Sequence, residues 1–499
     1  MKKYLLPLVL VGGGIAGAAA QADNLRILLP SEFSTMDPME ILSGDQTMVM
    51  YHIYCRLYTF DDSMSPVPEL VASEEVSEDG LSWTLHLRSG AKFHDNTPVT
   101  ADAVRYMIER MREKGGSQQA LFKAISEIDV VDDTTVVLKT NKPFPALRNS
   151  LAHPNAGLLS PAADTAQGDA FGVKPVSCGP YEFVEWQRGS HIEVKKFDDF
   201  YRDAGDVEGV VFQFVPDVAT RQFMMMRGEA DVALRLGPAE AQQVESVDGV
   251  HTIDLLGRNM FYGLNYAKAP TDDIRVRQAI NYAVDKETII DRVLQGAGQP
   301  SRSVLEAMLW GSIPVGQFEY DPEKAKKLLD EAAPESRKLV LLSPDNRYLL
   351  DSQVSQAVAG YLEAAGFDVE LKVMGDWAGY LDAVKTLNFN LYMLGWGGST
   401  GDPDQVLQSL FKSSRAGKAW NYSSYSNTDM DAMIDDAGTT LDDDERSAKY
   451  AEIQNQLFAD VPWLFMYRGA NYTAVRDQVS EIHTLEGPSF HYVFKLPNE

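Results

Sequence analysis

The clearest pattern along the chain is the alternation at 81–88, where Leu81, Trp83, Leu85 and Leu87 share one face and polar residues take the other. A period of two with one apolar face marks a half-buried strand. His86 falls on the polar face and reads as a solvated side chain rather than a ligand. The same reasoning predicts strands over 25–29, 134–139 and 208–215. It also predicts a strand–turn–strand over 179–197 that reverses at Arg188-Gly189-Ser190. Thr100 stands where a helix cap is expected, and Val104, Met107, Ile108 and Met111 then recur at helical spacing. Helical spacing returns over 44–56, 217–227, 238–247, 274–284, 286–295, 322–333, 351–365, 376–387, 403–411, 428–436 and 442–459. Asp402-Pro403-Asp404-Gln405 is a helix start with a capping Asp, Pro at the first helical position and Gln at the third. Strands and helices intermixed, without an internal repeat or a low-complexity tether, predict an α/β protein.

The N-terminus follows different rules. Met1-Lys2-Lys3 precedes an apolar run over 4–20, and Ala20-Gln21-Ala22 fits the small-residue cleavage pattern. This predicts an export signal cut before Asp23, with Ala18-Ala19-Ala20 as a second register. The run falls short of the about 20 apolar residues that span a bilayer, and Gly12-Gly13-Gly14 weakens it further. No cysteine stands at the cleavage point for a lipid anchor, so the expected location is the periplasm.

Composition narrows the function. The 499 residues are 44% hydrophobic and 23% charged, which builds cores rather than a disordered chain. The net charge of −27 repels phosphate backbones and anionic membrane surfaces, so no nucleic-acid partner is expected. Two cysteines exclude a Cys-rich zinc or iron–sulfur scaffold. The eight histidines include no i, i+4 pair, and there is no phosphate loop, H-E-x-x-H or G-x-S-x-G. Nothing in the residues argues for catalysis, a metal or a cofactor. A run such as Met224-Met225-Met226 reads as core packing before a soft-metal site, and Asp442-Asp443-Asp444-Glu445 as an acidic helix start.

Several segments, in order, carry a resemblance. Ser34-Thr35-Met36-Asp37-Pro38 is similar to an "LDP" opening, and Leu87 to Pro98 to "LRxGxKFHDGTP" with Asn96 for glycine. Thr100-Ala101-Asp102-Ala103-Val104 is similar to "TAxDV", and Cys178-Gly179-Pro180-Tyr181 to "TGPY". Asn265 with Asp273 to Asp285 resembles "N…DxRVRQAxNYAID". Gly395-Trp396 with Gly401-Asp402-Pro403-Asp404 resembles "GW…DPD". This series resembles the extracytoplasmic solute-binding proteins, family 5, of ABC importers, whose members bind peptides, dipeptides, nickel or glutathione. The resemblance implies a bilobal periplasmic-binding-protein fold (class II, large cluster C type) with a discontinuous first lobe. Lobe I would cover 23–260 with 470–499 returning to it, and lobe II 261–469. The strands at 258–265 and 465–475 would cross between them. It also implies a non-enzymatic, monomeric receptor that closes around a small peptide-like ligand and delivers it to importer permease subunits.

The same resemblance places the ligand near Trp396, Gly397, Gly398, Ser399 and Thr400. Peptide-binding relatives carry, three residues past the tryptophan, an aspartate that meets the ligand's α-ammonium; this chain has Ser399. The run Gly398-Ser399-Thr400-Gly401-Asp402 is nearer the glutathione-binding branch. A glutathione-like, modified or short peptide is therefore the expected ligand, with Glu32 or Asp402 as substitutes should a counter-charge be needed. The loop Ser31-Glu32-Phe33-Ser34 corresponds to one lining the cleft, with Glu32, Phe33 and Ser34 the expected contacts. Arg258 is a candidate carboxylate clamp, with Arg347 a more remote one, and Asn421 and Tyr422 read as structural. A nickel–chelate, opine or oligosaccharide receptor, and a secreted peptide hydrolase, are the rival readings. Cys55 and Cys178 replace the family's usual glutamate and threonine. A disulfide within lobe I and two separate buried thiols both stay open. A bridge closing about 120 residues would add roughly 4–5 kcal/mol in the chain-entropy picture.

Overall fold

The computed structural model describes residues 24–482 and 494–495, apart from 41–43, 62–63, 206, 346, 478 and 480. The expected export signal and most of the tail beyond 482 lie outside the described residues.

Two long antiparallel strands, Val250–Leu264 and Trp463–Arg476, run through the centre of the molecule. They pair from Val250 opposite Arg476 to Gly263 opposite Trp463. The register shifts between Leu256 and Asn259 and again between Met260 and Phe261. On one side the sheet continues through Val232–Leu236, Leu25–Leu29, Gly209–Phe214, His191–Lys196 and Tyr181–Gln187. On the other it continues through Leu391–Trp396, Lys338–Pro344 and Asp368–Met374. With Gly298–Pro300 paired to the second long strand, the described residues form one eleven-stranded mixed sheet.

Burial divides this sheet in two. One core gathers Ile27, Val104, Phe212 and Val475, and a smaller cluster packs Leu28, Met225 and Ala474. The other core begins at Met260 and ends at Ala470. Between the two, the long strands carry Asp254, Arg258, Asn259, Arg468, Gly469 and Asn471. The lobes are joined there chiefly by backbone pairing, in keeping with a bilobal fold.

The first lobe holds a second, antiparallel sheet, in the order Val71–Val76, Ser82–Leu87, Thr135–Thr140, Ile125–Asp132. Its two central strands are those that alternation predicts. The two edge strands bury only Val71 and Ile125, so they leave no alternating signal to read. Helix Ala101–Lys114 buries Val104, Met107, Ile108 and Met111 as its spacing requires. Thr100 occupies the cap position, but its side chain makes no capping hydrogen bond. The expected helix over 286–295 splits into Lys286–Thr288 and a π-turn, Ile289–Val293, where the Leu294 N–H reaches back to the Ile289 carbonyl at 3.1 Å. Met225 is fully buried and its two neighbours pack on the same cluster, which is a core role for the methionine run.

Part of the acid surplus is structural. Asp217, Asp273, Asp285, Asp321, Asp376, Asp402 and Asp442 each accept a backbone N–H at a helix start. Each such cap is worth about 1 kcal/mol.

Cys55 and Cys178 are bonded across 123 residues, with Cα atoms 5.1 Å apart and both side chains in the first core. Serine at both positions is expected to lower stability by about 2–4 kcal/mol in urea titration, matched by reduction of the wild type. His153 is buried and its Nδ1 accepts the Asn155 N–H at 3.2 Å. Burial, assisted by the charge of Arg56, pushes it down to about 4. The unfolded chain therefore binds the proton first, and stability falls as pH drops from about 6.5 to about 4. The loss is on the order of 3 kcal/mol. His153→Gln should flatten that limb of the melting-temperature profile.

Candidate ligand-binding site

Where the long strands leave one core for the other, a cavity of 630 Å³ opens. That volume is in the range of small-molecule sites. Arg235 and Glu240 wall it from the first lobe, Arg347 and Tyr348 from the second, and Arg258 and Tyr467 from the long strands themselves.

Each arginine has a local cause. Strand Val232–Leu236 bulges between Ala233 and Leu236, and Arg235 takes a left-handed φ of 51°. Such a backbone is uncommon for a residue with a Cβ and turns the side chain out of the ladder. The Arg235 guanidinium pairs with Asp45 at 2.7 Å, and buried Asp45 also accepts the Ser31 hydroxyl at 2.5 Å. Arg258 sits in the register shift of the first long strand. Burial pushes its pKa down. Arg347 and Arg235 add to that, while Tyr348 and Glu306 oppose it. Arg347 opens the loop after Lys338–Pro344. There Asp351 accepts the N–H groups of Arg347 and Tyr348, both at 2.9 Å. Its guanidinium lies 4.8 Å from the centre of the Trp377 ring. The Tyr348 hydroxyl accepts the Gly395 N–H at 3.0 Å, tying this loop to the strand that ends at Trp396.

The expected site residues separate into three places. Arg258 lines the cavity. Glu32, Phe33 and Ser34 face the hairpin at 181–196 instead. Glu32 accepts the Trp186 indole N–H at 3.1 Å and the Gly189 N–H at 3.0 Å. Phe33 packs on Trp186 and Phe214, and the Phe33 and Ser34 carbonyls accept from Arg188 at 3.2 and 3.0 Å. From this loop it is Ser31 that reaches the cavity wall.

Trp396 to Thr400 form the third place. Trp396 stands edge-on to Trp420 at 5.3 Å, and its buried indole N–H has no hydrogen-bond partner among the described residues. Gly397 leads into Gly398, whose N–H donates to Glu306 at 3.2 Å. A Cβ on Gly398 would meet Leu309 at 2.7 Å. The Ser399 hydroxyl accepts from Gln405 at 3.1 Å. The Thr400 carbonyl accepts from Asn149 at 2.9 Å, and a Cβ on Gly401, at φ 68°, would come within 2.7 Å of the Met64 carbonyl. Asn149 and Met64 belong to the first lobe, so this loop is a lobe-to-lobe contact. A second cavity of 300 Å³ adjoins it, lined by Arg148 and Asn149 on one side and Trp310 and Asp402 on the other.

Asp402 caps helix Pro403–Leu410 through the Asp404 N–H at 2.8 Å and pairs with buried Arg446 at 2.8 Å. Asn421 is structural, its amide donating to the Lys412 and Tyr425 carbonyls. Sequence reasoning missed Arg235, Tyr348 and Tyr467. Arg235 left a readable trace, since it is a lone charge inside the apolar strand Val-Ala-Leu-Arg-Leu. Tyr467 ends an apolar run and looks like any core aromatic.

The sequence profile of the bacterial extracellular solute-binding proteins, family 5 Middle, matches residues 65–418. The chain belongs to this family. Its members are solute-binding receptors. The glutathione-binding protein GsiB of Pectobacterium atrosepticum is 30% identical over 477 residues, covering 93% of this chain and 92% of that one. The dipeptide-binding protein of Escherichia coli K12 is 30% identical over 457 residues, covering 86% and 85%. Among solved structures, HbpA2 from Haemophilus parasuis matches with a TM-score of 0.87 at 23% identity, over 95% of this chain and 100% of that one. AgaA of A. tumefaciens R10, solved with agropinic acid, matches at 0.79 and 26% identity, over 96% and 99%. No helix among the described residues is long and apolar enough to cross a membrane. Glu185, His191 and Glu193 bring three ligand-type atoms within 4.8 Å of one another, but on the hairpin at 181–196 rather than at the cavity.

Asp402→Ala removes both a helix cap and the counter-charge of Arg446. It is expected to cost about 3–5 kcal/mol in urea unfolding. Asp402→Asn keeps a capping oxygen and should cost less.

Proposed function

We propose that this protein is the extracytoplasmic receptor of an ABC importer, which takes a small peptide-like solute into the cavity between its lobes and presents it to the permease subunits. The observation that carries the reading is the position of the cavity. It is walled by both lobes at the pair of strands joining them, in a chain of this family. In this reading lobe I is 23–260 with 470–499, lobe II is 261–469, and the break between the two cores supports that division. The signal over 1–22 would deliver a monomer to the periplasm.

Relatives named for glutathione and for dipeptides support a glutathione-like, modified or short peptide. The two carboxylates expected as substitutes for the missing aspartate are otherwise engaged. Glu32 is held by Trp186 and Gly189, and Asp402 by Arg446 and its helix. Ser399 brings a hydroxyl already bonded to Gln405. Arg258 is the contact we assign; Trp396, Gly397, Gly398, Ser399 and Thr400 lie beside the cavity, in the contact between the lobes. Ser31, rather than Glu32, Phe33 or Ser34, is the contact from the first loop.

Native mass spectrometry of protein purified without refolding, followed by denaturing release, tests this. A single bound mass of peptide class is expected, with at least about tenfold weaker rebinding by Arg258→Ala. A protein that carries no such mass, and whose melting temperature ignores glutathione and di- to pentapeptides, overturns the peptide reading.

A further inference from the structure

The hairpin of Tyr181–Gln187 and His191–Lys196 forms one edge of the large sheet, and its two faces differ. Trp186 stands opposite Ile192, on the face that packs on Phe33. Glu185 stands opposite Glu193, and Gln187 opposite His191, on the other. A bulge makes this so. The register slips between Phe183 and Glu185, and the surplus residue, Val184, is left exposed. Without that slip Glu185 would fall opposite Ile192, on the apolar face, because successive residues of a strand alternate. Bulges re-aim side chains in this way. His191 and Glu193, two apart on their strand, share the same face without the i, i+4 spacing of a helical metal site.

These side chains are held from behind. His191 Nδ1 lies 3.0 Å from the Ser190 hydroxyl, which turns Nε2 toward Glu185 at 3.1 Å. Glu193 accepts the Asn24 amide N–H at 3.2 Å. Outer hydrogen bonds of this kind orient metal ligands. One imidazole and two carboxylates thus bring donor atoms within 4.8 Å of one another. A tetrahedral ion with bonds of about 2.0–2.2 Å needs donors roughly 3.4 Å apart, within reach of small side-chain rotations. The charge is also suited. Neighbouring acids have lysines, Glu182 pairing with Lys195 and Glu208 with Lys196. Glu193 has no lysine or arginine partner among the described residues, and it faces Glu185, a like-charge pairing that weakens a sheet.

We propose that Glu185, His191 and Glu193 form a binding site for a zinc-class divalent transition cation, which bridges the two strands of the hairpin and takes the place of the proton that otherwise joins His191 Nε2 to Glu185. An imidazole with two carboxylates is a zinc donor set, whereas magnesium and calcium take oxygen ligands. The ion would be resident rather than cargo, since none of the three residues lines the solute cavity. It bears on that cavity only at one remove. The opposite face of the hairpin holds Glu32 and Phe33, next to Ser31 at the cavity wall.

The test is calorimetry of the untagged protein, stripped with EDTA, dialysed free of it, and titrated in turn with zinc, calcium and magnesium chloride. A single equivalent of zinc is expected to bind with micromolar affinity and to raise the melting temperature as its concentration rises. Calcium and magnesium should bind at least about a hundredfold more weakly. Glu185→Gln, His191→Gln and Glu193→Gln should each weaken zinc binding at least about tenfold, while the metal-free variants melt close to the wild type. His251→Gln, at an exposed pair with Asp477, should leave zinc binding unchanged. Zinc binding that survives in all three hairpin variants, or that His251→Gln abolishes, belongs to other groups of the acidic surface and overturns the site. Equal affinity for calcium reduces the site to a cluster of acids and overturns the metal class. A protein that binds no zinc overturns the proposal outright.

Discussion

The pairing of Val250–Leu264 with Trp463–Arg476 is the constraint on which the molecule depends. Each lobe has its own core, and each core takes one end of the pair. An extended ladder of backbone hydrogen bonds resists slipping, because a one-residue shift would turn every buried side chain of both lobes to the wrong face. The register shifts are local exceptions to that rule. They fall at the passage between lobes, where Arg258 leaves the ladder and becomes available to the cavity. The strands that hold the lobes together thus also supply the floor of the space between them.

Charge follows a second logic. An acid excess of this size would weaken a compact chain by self-repulsion, yet many of the acids have fixed tasks. Seven aspartates cap helices, and Asp45, Asp164 and Asp402 neutralise arginines in the interior. Cations gather instead at the cavity. A protein that is acidic overall and basic inside its cleft repels anions at long range and holds them at short range. Screening by salt acts mainly on the first of these.

The fold was legible where a residue's burial followed its period. Many helices and the central strands of the smaller sheet carry clean repeats, and the motifs from Leu87 to Asp404 carried the family; strands such as Lys338–Pro344 and Leu391–Trp396 are buried on both faces and show no alternation. Edge strands such as Val71–Val76 were not legible, because half of each strand meets water and the pattern dissolves. The π-turn at Ile289–Val293 leaves the apolar spacing of an ordinary helix almost unchanged, so nothing betrays it. The site was readable in part. Arg258 and the Trp396 loop emerge from the sequence, but their roles depend on which atoms are already engaged. That Glu32 serves the hairpin and Arg235 is turned by a bulge are facts of three-dimensional pairing. No local pattern encodes them.

The contact between loop and first lobe has an energetic reach beyond its own atoms. Asn149 to the Thr400 carbonyl, and Gly401 against Met64, are protein-to-protein interactions between the lobes. In a receptor that opens and closes they would favour the closed form. The apparent affinity for any solute is its intrinsic affinity scaled by the fraction of molecules already able to close. In a receptor that closes around its solute, residues of such a contact would help set the sensitivity. They would also set a floor on how many unladen molecules the membrane partner meets in the closed shape. In the proposed receptor a stronger latch would gather scarce solute better while presenting more idle closed copies to the importer.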